Sequence, residues 1–141
     1  MEFSRFDIVN EKIALIMGWR RRGDYTSDNS WLWWVAPEDV NAAHPEDEEG
    51  EHYDKPPDCM SDSDAATLNA KAFRDLVRNQ AFCSKITFSR GHRGKVCCGV
   101  EFALELQLQP IDVAEVIGEN QASSMACLEA WEKVNGEVDN W

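Results

Sequence analysis

The side chains able to do chemistry in this 141-residue chain are five cysteines, three histidines, a run of carboxylates and an island of cations. Cys97 and Cys98 are adjacent in a β-rich run, where successive side chains point to opposite faces, so the pair does not make one site. An odd number of cysteines (Cys59, Cys83, Cys97, Cys98 and Cys127) without framework spacing reads as reduced, structural thiols. His44 and His52 flank the acidic run Glu46–Glu51, but their spacing is not that of a zinc site. The run also lacks the alternating oxygen ligands and the placed glycine of a calcium loop, so a solvated acidic loop is the reading. No nucleophile elbow, phosphate-binding glycine loop, His-Glu-x-x-His or dinucleotide fingerprint is present. No catalytic residue, metal ligand or cofactor is therefore assigned.

The cations are more informative. Between positions 65 and 100 stand seven basic side chains and one acidic one. Lys71, Arg74, Arg78, Arg90, Arg93 and Lys95, with His92 in the turn beside Arg93, form the candidate anion or phosphate site. The competing reading is that they neutralise acidic segments of this chain or of a neighbouring subunit. Those segments are pronounced: residues 38–64 hold one basic and eleven acidic side chains, and residues 101–141 one and nine. A net charge of −12 repels nucleic acid on average, so direct nucleic-acid binding is not expected.

The elements that must position these cations follow from periodicity. Leu68, Ala72, Ala65, Leu76, Phe73, Ala66 and Val77 share one arc of a helix expected over 61–82, with Lys71, Arg74 and Arg78 opposite. Ser61 and Asp64 resemble its capping box. Lys85–Arg90 and Lys95–Glu101 then flank Gly91-His92-Arg93-Gly94, a hairpin in which Ile86 and Phe88 alternate with polar residues. The apolar alternation continues through Phe102, Leu104, Leu106 and Leu108, and 111–118 is ambiguous. Upstream, Phe6, Val9, Ile13 and Ile16 predict a helix over 5–17 that Gly18 ends. Arg20-Arg21-Arg22 reads as a solvated turn. Trp31–Val35 reads as a strand, with Trp31, Trp33 and Val35 on one face and Leu32 and Trp34 on the other. Trp31, Trp33 and Trp34 are the candidate interaction residues. A helix over 122–134, led by Leu128 and Trp131, closes the fold.

Together these make one α+β domain over 1–141: a small, mainly antiparallel sheet with N-terminal, central and C-terminal helices against it. It carries an acidic surface loop at about 37–58 and a loose tail at about 137–141. No run approaches the ~20 apolar residues of a membrane span, and the start lacks a basic region followed by an apolar signal segment. A cytoplasmic location and no membrane partner are expected.

The stretches Ile16-Met17-Gly18-Trp19, the Trp-rich strand, Pro56-Pro57 leading into Ser61-Asp62-Ser63-Asp64-Ala65-Ala66, and Ala126-Cys127-Leu128 in the closing helix resemble the phage ABA-sandwich domain family. The resemblance implies a small phage or prophage protein with helices on both sides of a sheet, and it implies no activity. On that footing the expectation is a non-catalytic accessory protein of the host cytoplasm, acting as a homo-oligomer. It would antagonise a host protein or sequester a small anionic signalling molecule. Two alternatives stand beside it: an acidic decoy presenting Glu46–Glu51 to a DNA-binding host protein, and an enzyme of hydrolytic or other activity.

Overall fold

The computed structural model describes residues 5–24, 31–37, 55–116 and 118–138. The Glu46–Glu51 run, His44 and His52, most of the acidic loop and the end of the tail lie outside them. The described chain is α+β, with three helices and two antiparallel sheets. Helix α1 spans Arg5–Ile16. It stops where Gly18 takes φ +100, a left-handed value that glycine adopts without strain, and the Trp19 amide bonds back to the Ala14 carbonyl at 2.9 Å.

The next residues correct an expectation. Arg20-Arg21-Arg22 is not a solvated turn but the body of strand β1 (Arg20–Asp24), which pairs with β2 (Trp31–Val35). The pairing sets Arg21 opposite Trp34, and the guanidinium lies 5.3 Å from the indole centroid. The same group bonds Glu11 of α1 at 3.0 Å, with both side chains nearly buried. Trp34, Trp19 and Ala14 make a small cluster that seats this hairpin on α1.

Between the acidic loop and the next helix, residues 55–63 are tied down by side chains from all three helices. Asn10 of α1 donates to Asp58 and accepts from the Cys59 amide. Asn69 donates to the Asp58 carbonyl, Ser124 to that of Cys59, and Asn120 to that of Ser61. Helix α2 (Asp64–Arg78) begins one turn later than expected and is capped by Ser63, whose hydroxyl accepts from the Ala66 amide. Ser61 instead donates to the Asp58 carboxylate. The helix buries Ala66, Asn69, Ala70, Phe73 and Val77, while Leu68 and Ala72, expected in the core, are exposed. The buried arc is shifted because Asn69 is needed inside to hold the loop.

Strands β3 (Cys83–Arg90), β4 (Val96–Phe102) and β5 (Ile111–Val116) form the larger sheet in that order. The expected continuation of β4 through Leu108 does not occur. The chain leaves the sheet after Phe102 in a short 3-10 turn that exposes Leu104, and the ambiguous 111–116 segment becomes β5. Register places Phe88, Cys98 and Val113 on one face with Ile86, Val100 and Ile111. This face packs on α2 and on α3 (Glu119–Asn135), with Phe82 edge-on to Trp131. Helix α3, not α2, is the centre of the molecule. Its Ala122, Ser123, Ala126 and Ala130 are inaccessible, so sheet and helices approach it closely. Among the described residues, all three helices lie on this side of the larger sheet, not on both sides as the resemblance implied. Thr87, Glu101 and Asp112 on its other face are exposed.

Candidate functional site

The helix–strand unit α2–β3 carries the cations, and the route between the two elements decides which of them meet. After Asn79 caps the helix, the chain reverses at once, with Phe82 buried, so β3 runs back along α2. Arg78 therefore sits near Cys83 at the strand's start, and Arg74 reaches the middle of the strand.

Proximity divides the expected basic group in two. Lys71 and Arg78 both bond the carboxylate of Asp75 at 3.1 Å, one residue type four positions away and the other three. Asp75 is the single acidic residue of the 65–100 segment, and it compensates both neighbours. Arg74 does something else. Its guanidinium lies 5.3 Å from the ring centroid of Phe88, and among the described residues its buried Nε has no hydrogen-bond partner. Phe88 is one of the few large apolar side chains left 39% exposed. Arg90 projects from the same face of β3 as Phe88, two residues along. Among the described residues, Arg74, Lys85, Arg90, Arg93 and Lys95 have no carboxylate partner.

Arg93 and Lys95 lie in the hairpin connection, where the Gly91 amide bonds the Lys95 carbonyl at 2.8 Å. Arg93 holds φ 58, a left-handed conformation that costs a non-glycine residue about 1 kcal/mol. His92 belongs to the same short turn, and its side chain lies outside the described set. The site is thus a basic edge: Arg74 stacked on Phe88, Lys85 and Arg90 along the strand, Arg93 and Lys95 at its tip. Sequence reasoning named Arg74, Arg90, Arg93 and Lys95. It missed Phe88 and Lys85, whose signal was only their place on a strand that turns out to be an edge.

The tryptophans divide as well. Trp34 is 2% exposed against α1, so it is a core residue and not an interaction residue. Trp33 is half-buried on the opposite face of β2, and the side chain of Trp31 lies outside the described set.

The three buried thiols are withdrawn from nucleophilic chemistry. Burial pushes Cys98 up to about 11 and Cys59 up to about 12, and it raises Cys127 further still. Cys97 and Cys98 do face opposite sides of β4, Cys98 inward and fully buried. A separate cleft of about 510 Å³ opens where α1, the 58–62 loop and the start of α3 meet. Its lining includes Phe6, Met60 and the carboxylates of Asp62 and Glu119, with no cation among the described residues, a set that does not suit an anion. No protein-family model, curated protein or solved structure matches this chain.

Proposed function

We propose that this protein acts by binding, holding an anionic partner against the basic edge formed by α2, β3 and the hairpin tip. One observation carries the reading. In a chain of net charge −12, these cations lack carboxylate partners among the described residues, and one of them is held on an exposed aromatic ring. Guanidinium groups fixed by stacking present their donors with little further loss of freedom, which suits phosphate or carboxylate recognition. The resemblance to phage ABA-sandwich proteins sets this activity in a host cytoplasm. There the protein would antagonise a host protein or sequester a small anionic signalling molecule, as a homo-oligomer.

The test separates free from compensated cations. Replacing Arg74, Arg90 and Arg93 by Ala is expected to weaken binding of an anionic probe, inorganic tripolyphosphate, by roughly tenfold or more. Replacing Lys71 and Arg78, already held by Asp75, is expected to change it by less than about threefold. Equal losses in the two variants would sink the reading. Native mass spectrometry of protein taken gently from cytosol then reports subunit number and any retained small mass.

A further inference from the structure

Among the described residues, the ladder of the larger sheet leaves one edge open beside these cations. The Gly91 amide bonds the Lys95 carbonyl at 2.8 Å, so in an antiparallel ladder the bonded pairs recur every second residue from there. Ser89 with Cys97, Thr87 with Gly99 and Lys85 with Glu101 are in step with it. The amides and carbonyls of Ile86, Phe88 and Arg90 therefore point away from β4. Among the described residues no strand pairs with β3 on that side. Yet β3 is the longest of the described strands, eight residues, and most of it is exposed.

We infer that β3 is a docking edge for an extended, acidic segment of a partner protein, which adds to the sheet as a fourth strand. This rests on the reading that the basic edge holds an anionic partner, and it names that partner's class. The incoming backbone would bond the open amides and carbonyls of Ile86, Phe88 and Arg90. Its side chains would alternate between two environments. Those on the helix side meet Phe88, Arg74 and Arg90, and those on the open side meet Lys85, Thr87 and Ser89. Acidic residues suit the helix side, with Arg74 and Arg90, and an apolar residue suits the exposed ring of Phe88. On the open side Lys85 already stands opposite Glu101, so polar residues suit it.

Charge selects this occupant over a second copy. Antiparallel pairing of β3 with another β3 brings the helix-side cations Arg74 and Arg90 of both copies to one edge, where like charges repel. An acidic strand replaces that repulsion with attraction.

The experiment uses the full chain and a short acetylated peptide of alternating Glu and Val. A second peptide of the same sequence carries an N-methyl group on every amide. The first is expected to bind, and the methylated one at least roughly tenfold more weakly, since it keeps the charges and loses the backbone donors. Hydrogen exchange at Ile86, Phe88 and Arg90 is expected to slow on binding, while Lys85, Thr87 and Ser89, already bonded to β4, change little. Phe88→Pro removes an outward amide and is expected to abolish peptide binding where Phe88→Val only weakens it.

If both peptides bind equally, or if only tripolyphosphate binds, strand addition is overturned while the anion-binding reading survives. If no anionic probe binds, both fall. A dimer formed without peptide and dissolved by Phe88→Pro would assign the edge to a second copy and overturn the acidic partner.

Discussion

Asp58 shows how much one side chain can organise. Burial alone would push its carboxyl up. Hydrogen bonds from the Ser61 hydroxyl, the Met60 and Ser61 amides and the Asn10 side chain outweigh burial and hold it below its ordinary value of 3.8. A carboxyl lowered in the fold contributes stability that is fully present above the unfolded value and is lost as pH falls through the folded one. Asp58→Asn is expected to cost about 1–3 kcal/mol at pH 7 and to flatten the fall in stability below pH 4. Chemical denaturation of both proteins across pH 2–7 measures it. An equally steep acid limb in the variant would place the acid sensitivity elsewhere. The buried thiols carry the opposite sign. Cys59 and Cys98, raised by burial, favour the fold below pH 9 and withdraw that contribution as pH rises above it.

Among the elements, α3 is the most demanding. Its apolar side is not a stripe, because sheet, α1 and α2 all bear on it, and small residues let them do so. Ala126→Leu is expected to destabilise by about 1–3 kcal/mol or more through overpacking, although leucine is a good helix former. Leu68→Ala on α2, the reverse change at a side chain 61% exposed, is expected to change stability by less than about 0.5 kcal/mol. Thermal melts of the two variants check the pair. A greater loss from Leu68→Ala would mean that something covers that flank of α2. The same contrast explains why periodicity located these helices yet misplaced Leu68 and Ala72 of α2 in the core. Spacing reports which residues share an arc, whereas neighbours decide which arc is dry.

At the scale of the whole molecule, two apolar clusters divide the fold. The larger joins three helices to the three-stranded sheet, and the smaller fixes the β1–β2 hairpin to α1 through Trp19, Trp34 and Ala14. Trp34→Ala is expected to cost about 3 kcal/mol and to speed hydrogen exchange in β1 and β2. Exchange in β4 and α3 should stay slow, because their contacts lie in the other cluster. Uniform acceleration across the chain would show instead that the hairpin and the main core open together.

The α+β class, all three helices, the β3–β4 hairpin and the uneven distribution of charge were determined by the sequence itself, because each rests on local spacing and composition. Gly18 as a helix end and the opposed faces of Cys97 and Cys98 were legible for the same reason. Contacts between distant segments could not be read that way. Only the tertiary structure decided that Arg21 lies on Trp34, that a loop at 55–63 is held by Asn10, Asn69 and Ser124, and that α3 is central. It also decided the meaning of the basic island. Asp75 takes two of its members because helical spacing brings them within reach. The remainder face an open strand edge because β3 pairs on one side alone among the described residues. Charge can be counted along a chain, but whether a charge is compensated depends on what lies within a few ångströms of it in space.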